Sequence, residues 1–275
     1  MLTFLCSTLL LAPPTTPRNP PSEAAIQRQA TVDLREEPAR RGRYKPPGSK
    51  QRVLIEFKGG PYIPEVDRNY RGPGFGPYAT LFGRTNEAGV TIDEPKARFM
   101  PFLGAEWQFI YLAGPLAVGL QLGFFRVTGQ APFADPPPGR SIADTVRFGF
   151  VPVAIQAVYR FEMPADRWGV PIVPYAKLGP AFAVWWSRGG DKKISRNAAG
   201  DRGIGATWGW QLNAGAMLRL DAIEPRMSRV VDNTIGLNHF YLYGEWQISR
   251  INNFGVGSAM SVGDSTWYAG LAVEF

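Results

Sequence analysis

The nonapeptide Trp267–Phe275, WYAGLAVEF, decides the fold. Trp267, Ala269, Leu271, Val273 and Phe275 fall on one side of an extended strand, and Tyr268, Gly270, Ala272 and Glu274 on the other. A period of two marks a β-strand with one strongly apolar face. Such a face meets either a protein core or lipid, and the rest of the chain has to choose between them.

Seven stretches upstream repeat the pattern. RVLIEFKGGPYI sets Val53, Ile55 and Phe57 against Glu56 and Lys58, and ARFMPFLGAEWQFI sets Phe99, Leu103, Trp107 and Phe109 against Arg98, Glu106 and Gln108. PLAVGLQLGFFRV opposes Leu116, Val118, Leu120, Leu122 and Phe124 to Gly119, Gln121 and Gly123. TVRFGFVPVAIQAVYRF opposes Val151, Val153, Ile155, Tyr159 and Phe161 to Gln156 and Arg160. In IVPYAKLGPAFAVWW, Leu178, Phe182, Val184 and Trp186 face away from Tyr175 and Lys177. ATWGWQLNAGAMLRL sets Trp208, Trp210, Leu212, Leu218 and Leu220 against Gln211, Asn213 and Arg219, and HFYLYGEWQIS sets Phe240, Leu242, Trp246 and Ile248 against His239, Glu245 and Gln247. Pro101, Pro152, Pro174 and Pro180 lie inside these stretches, where each removes a ladder donor, so bulges or extensions beyond the membrane are expected there.

The connections alternate in length. Long ones fall at about 64–96, 128–143, 188–204 and 251–264, and shorter ones at YLAG and EMPADRWGV. A further connection on the short side, DAIEPRMSRVVDNTIGLN, carries Ile223, Met227, Val230 and Val231 at the spacing of a short amphipathic helix. Eight antiparallel strands with long loops at one end and tighter turns at the other describe an all-β, up-and-down barrel, here with one short periplasmic helix.

Charge chooses what the apolar face meets. A soluble barrel turns apolar side chains inward, whereas a transmembrane barrel turns them to lipid. The less apolar faces carry Glu56, Lys58, Arg98, Glu106, Arg160, Lys177, Arg219 and Glu245, both signs together, as a lumenal charge network requires. Aromatic residues of the apolar faces form two girdles: Phe124, Trp186, Trp208 and Trp267 near the long-loop end, and Phe109, Phe161, Phe240 and Phe275 near the other. Trp267 to Phe275 spans roughly 20 Å along the barrel axis at a tilt of about 40°, close to a lipid band.

Composition is consistent with this reading. Among 275 residues there are 31 Gly and 25 Pro, which suits short strands and turns. No run of 18 apolar residues occurs, so a transmembrane helix is not expected. The net charge is +7, but the basic residues form no stripe, and ARRGRYKPPGSK reads as a solvated linker and not a nucleic-acid surface. Residues 1–12 read as a signal segment around the single cysteine, Cys6, though without the usual preceding Lys or Arg, and 13–50 as a flexible basic leader. Residues 51–275 make the barrel.

The terminal Phe275, with apolar residues at alternate positions before it, resembles the last strand of bacterial outer-membrane proteins. That resemblance implies that the strand is read by the barrel-assembly machinery. LGAEWQF, DAIEPR and GLNHFYLYGEW resemble segments of a family of myxobacterial outer-membrane β-barrel proteins of undefined function. The resemblance covers about residues 51–275 and implies outer-membrane lipid as the surroundings, with no catalytic residues to carry over.

Chemistry-bearing motifs are sparse. His239 is the sole histidine and sits at the short-turn end, far from where an outer-leaflet lipid would react. GPGFGPY and GDKKISRNAAGDRG lack the strand–loop–helix setting of a phosphate-binding loop, and no metal-ligand spacing is present. No cofactor, metal or nucleic-acid partner is expected. The expected role is a structural or interaction scaffold presenting surface loops, among whose residues Tyr70, Arg71, Phe75, Tyr78, Lys192 and Lys193 could contact ligands. The alternatives are a lipid-modifying enzyme and a narrow ion channel.

Overall fold

The computed structural model describes residues 52–133, 139–196, 200–220, 239–256 and 259–275. The signal segment, the basic leader and the helix expected around Ile223–Val231 lie outside these residues.

Eleven strands are present among the described residues: β1 (Val53–Tyr62), β2 (Arg84–Thr85), β3 (Thr91–Asp93), β4 (Arg98–Tyr111), β5 (Pro115–Gly123), β6 (Phe125–Pro132), β7 (Arg140–Arg160), β8 (Ile172–Arg188), β9 (Ile204–Arg219), β10 (His239–Ile251) and β11 (Ser265–Glu274). β2 and β3 form a separate small hairpin. The other nine make one sheet in which β5 and β6 both pair with β7, so together they form a single stave. β1 pairs with β11 from Leu54↔Glu274 to Gly59↔Ala269, and this seam closes an antiparallel barrel of eight staves.

The split stave has a local cause. Phe102 pairs with Gly123, and the Phe124 N–H donates to the Pro101 carbonyl at 3.2 Å. Pro101 offers no N–H in return, and the ladder breaks at Phe124. The β7–β8 ladder is likewise interrupted between Ala154↔Ala181 and Ala157↔Leu178, the stretch holding Pro180. Pro152 and Pro174 instead sit at ordinary rungs, opposite Ala183 and Ala216.

One connection is shorter than the sequence predicts. β6 continues to Pro132 and β7 begins at Arg140, pairing through Gln130↔Thr145 and Pro132↔Arg140 over much of the expected loop 128–143. Gly129 and Pro132 favour turns, yet paired backbone outranks local propensity. Two short helices complete the described fold, α1 (Pro77–Phe82) and α2 (Met163–Trp168). α2 occupies the turn EMPADRWGV, which reads as a plain connection in the sequence.

The strands are turned inside out relative to a soluble barrel. Large apolar side chains exposed on the wall include Leu103, Trp107, Leu120, Leu122, Ile155, Leu178, Trp208, Leu242, Trp246, Trp267 and Leu271. Buried side chains include Glu56, Lys58, Glu106, Arg160, Lys177 and Glu245. An apolar belt this large on a wall of paired strands is a lipid-facing surface, because water would penalise it and lipid does not.

Candidate functional site

Among the described residues the ionisable side chains concentrate in the interior, which is layered. Toward the long-loop end it is aromatic: Tyr62, Phe102, Phe125, Phe148, Phe150 and Tyr268 form one buried cluster. Phe125 and Phe150 stack at 5.0 Å between ring centroids, and Phe102 meets Tyr268 edge-on at 5.3 Å.

A charged layer lies below. Lys58 Nζ pairs with Glu245 Oε1 and donates to Gln247 Oε1 at 3.0 Å. Lys177 Nζ lies 2.5 Å from Glu56 Oε2 and 2.7 Å from Glu106 Oε1. Glu245 also accepts from Tyr175 Oη at 2.6 Å and Asn213 Nδ2 at 2.6 Å. Gln211 Nε2 donates to Gln121 Oε1 at 2.5 Å, and Gln156 Nε2 to Asn213 Oδ1 at 2.8 Å. Lys58 also sits 5.0 Å from the ring centres of Phe102 and Tyr268, a cation–π contact that joins this layer to the aromatic one.

Register explains how such long side chains fit a narrow bore. The three glutamates each face a glycine across the ladder: Glu56↔Gly104, Glu106↔Gly119 and Glu245↔Gly215. Lys58 likewise faces Gly270. A Cβ on Gly104 would stand 2.5 Å from Glu56 Oε1, and one on Gly215 would stand 2.7 Å from the Glu245 Cβ. At Gly104 the missing side chain is the space the acid occupies.

A second charged layer lies at the short-turn end. Glu274 Oε1 accepts from Arg160 Nη2 at 2.9 Å and Gln108 Nε2 at 2.5 Å, and its Oε2 accepts from Tyr241 Oη at 2.8 Å. Arg219 Nη1 reaches Asp166 Oδ1 at 3.1 Å, and Tyr111 Oη donates to Asp166 Oδ2 at 2.9 Å. α2 supplies that aspartate. Burial raises the carboxyl of Glu162, in the same turn, above the usual range, while Arg160 and Arg219 pull it back down.

Seven of the eight charges assigned to the lumen by sequence lie inside the barrel. Glu56, Lys58, Glu106, Lys177 and Glu245 share the middle layer, and Arg160 and Arg219 the short-turn layer. Arg98 does not join them. Its parity points inward, but it opens β4 at the long-loop edge of the wall, opposite Tyr62, and it is exposed. Sequence reasoning left out Glu274, Glu162, Asp166, Tyr175 and Tyr241 as members of the network. The parity of Glu274 is visible in WYAGLAVEF, but the turn residues Glu162 and Asp166 have no periodicity to mark them. Of the girdle residues, Phe109, Phe124, Trp208, Phe240, Trp267 and Phe275 are exposed, and Phe161 and Trp186 half-buried.

The long-loop end carries an ordered lid. Asp67, in a 3-10 turn at Val66–Asn69, accepts from the Tyr78 and Ala79 N–H groups at 2.8 and 2.7 Å, satisfying the first turn of α1. Arg140 holds the other end. Its guanidinium donates to the carbonyls of Leu81 (3.0 Å), Gln130 (2.9 Å), Gly89 (3.3 Å) and Thr80, and to Thr91 Oγ1 (2.9 Å). It thereby ties α1, the β2–β3 hairpin and β6 together. Gly129 permits the approach, since a Cβ there would meet the Leu81 carbonyl at 2.3 Å. Tyr78, expected as a loop contact residue, is instead buried beneath the lid, 5.9 Å from Phe148. Tyr70, Arg71, Lys192 and Lys193 are exposed, and Phe75 is half-buried.

Loops one and four are also clamped to each other. Tyr62 Oη donates to the Val262 carbonyl at 2.5 Å, and the Glu65 N–H to the Gly263 carbonyl at 2.9 Å. Asp264 accepts from Ile63 N at 2.8 Å and Ser265 N at 2.7 Å, and Arg250 Nη1 pairs with Glu65 Oε1 at 2.7 Å. Burial raises the Asp264 carboxyl, against the two backbone N–H donors that lower it.

A closed, even-stranded antiparallel wall, apolar outside and ionised within, defines a β-barrel of the outer-membrane type. No family model and no curated protein matches the chain. Among solved structures it is similar to Ail, the attachment invasion locus protein of Yersinia pestis, at 12% identity and TM-score 0.39, covering 82% of this chain and 97% of that one. It is also similar to the outer membrane protein OprG of Pseudomonas aeruginosa, at 13% identity and TM-score 0.36, covering 83% and 98%. The N-terminal β-barrel domain of OprF from the same organism matches at 11% identity and TM-score 0.31, covering 82% and 98%.

Proposed function

We propose that the chain is a closed outer-membrane scaffold whose barrel holds an ordered platform of loops on the cell surface, with the short-turn end in the periplasm. The observation that carries this is the filled bore. An aromatic layer and two charged layers occupy the interior from end to end, and an eight-stranded barrel has no spare width around them. The lid held by Arg140 and the clamp between loops one and four give the long-loop end a defined surface, as an interaction platform needs.

The family reading belongs to the same proposal. Two of the segments resembling the myxobacterial barrels, LGAEWQF and GLNHFYLYGEW, hold Glu106 and Glu245 of the middle charged layer. The outward alternation of Trp267, Leu271 and Phe275 at the last strand supports recognition of that strand by the assembly machinery. Planar-bilayer recording of the refolded full chain tests the reading. The scaffold gives no stepwise conductance, and reproducible single-channel steps would overturn it.

A further inference from the structure

The outward wall of β6, β7 and β8 carries three arginines where the apolar belt ends. Register stacks this wall into rows. Phe124, one position before the Phe125↔Phe150 rung, lies level with Val151, which pairs with Val184. In the next row toward the long loops, Arg126 pairs with Gly149 and Gly149 with Trp186. In the row beyond, Thr128 pairs with Arg147 and Arg147 with Arg188. Each row adds about 5 Å along the barrel axis, from two residues of rise at a tilt of about 40°. The three guanidinium groups therefore stand within about 10 Å of the edge of the hydrocarbon, at headgroup level.

They are unpaired among the described residues. Arg126, Arg147 and Arg188 make no ion pair or side-chain hydrogen bond among the described residues, and Arg147 and Arg188 are direct cross-strand partners. Like charges placed opposite one another destabilise a ladder unless an anion lies between them. Of the carboxylates described nearby, Asp144 accepts from Ser141 Oγ at 3.1 Å and Asp191 from the Lys193 N–H at 3.0 Å, and neither forms an ion pair with the three arginines. Arg250, by contrast, is on the outward parity of β10 and is neutralised by Glu65. Phe124, Arg126, Arg147, Phe148, Trp186 and Arg188 line a cleft of about 140 Å³.

The geometry points to a binding site for a phosphate-bearing lipid of the outer leaflet, its acyl chains on the belt below Phe124 and its phosphate between Arg126, Arg147 and Arg188. Guanidinium forks suit phosphate oxygens bidentately, and the aromatic floor suits the junction between headgroup and chain. The orientation is that of the proposed function, on which this site rests.

The test uses the full chain refolded into phosphatidylcholine vesicles containing a diphosphorylated lipid A or its dephosphorylated form. After extraction into detergent and repeated washing, lipid retained per protein is measured by mass spectrometry. The native chain should retain the phosphorylated lipid over the dephosphorylated one by about tenfold or more, as charge-assisted guanidinium–phosphate bonds imply. Arg126→Gln/Arg147→Gln/Arg188→Gln should lose that preference, while Lys192→Gln/Lys193→Gln keeps it. Equal retention of both lipids, or an unchanged preference in the triple variant, overturns the site. Heat-modifiable migration certifies folding of the variants, and the single variants Arg147→Gln and Arg188→Gln replace the triple one if it does not refold, each expected to lower the preference severalfold. Orientation is read separately: Lys193→Cys with Cys6→Ser in whole cells should react with an impermeant maleimide. Labelling without lipid preference rejects the lipid site alone, and protection from the reagent in intact but not lysed cells rejects the orientation.

Discussion

Lys177 shows what one residue does in this barrel. It is 1% exposed and is the cation nearest two glutamates, Glu56 at 2.5 Å and Glu106 at 2.7 Å. Neither Glu106 oxygen has a well-aligned hydrogen bond among the described residues, so that carboxylate depends on Lys177 for compensation. Lys177→Met leaves two buried acids facing each other. We expect it to destabilise the barrel by about 3–5 kcal/mol, the usual cost of removing one side of a buried pair. Urea unfolding followed by tryptophan fluorescence measures it. Adding Glu56→Gln and Glu106→Gln should recover most of the loss, because the unpaired charges are then gone.

Among the elements at the long-loop end, the lid hangs on one side chain. Arg140→Gln removes most of the donors joining α1, the β2–β3 hairpin and β6. The lid should then open more readily by about 2–3 kcal/mol, read as faster amide exchange across 77–93, with the barrel itself unchanged. The clamp at Asp264 is pH-sensitive. Its carboxyl is raised in the folded loop, so the native state holds a proton that the unfolded loop has already released. Stability therefore rises as pH falls from the raised value toward the ordinary carboxyl range, and declines as pH climbs back through it. Amide protection at Glu65, whose N–H donates to the Gly263 carbonyl, corrected for the intrinsic pH dependence of exchange, should rise on mild acidification, and Asp264→Asn should abolish that rise.

These elements also mark where the sequence stops being readable. Strand faces are legible because alternation persists through Leu116–Phe124 and Trp267–Phe275 regardless of what surrounds them. The lid is not. Asp67 and Arg140 lie far apart along the chain, and nothing local in either says that they grip opposite ends of one short helix. Arg98 misleads because parity reports direction but not depth along the barrel, and depth depends on where its neighbour strands end. Glu162 and Asp166 escape because a turn has no period.

At the scale of the whole molecule, the division between an apolar wall and an ionised interior makes a direct claim about surroundings. Trp107, Trp208, Trp246 and Trp267 are each more than half exposed on the outward face. Reconstitution into brominated phosphatidylcholine should quench most of the tryptophan fluorescence relative to unbrominated lipid, whereas aqueous iodide should quench little. The reverse result would mean that this face meets water, and the membrane assignment would fail. Trp185, packed on the aromatic interior cluster, should contribute to the unquenched remainder.

The glycine opposite Glu56 ties together two positions far apart along the chain. This pair shares one volume, so neither member can drift alone: a bulkier residue at 104 demands a shorter one at 56. Homologous barrels should therefore record their history at 56 and 104 as coupled exchanges, with acid and glycine gained or surrendered together.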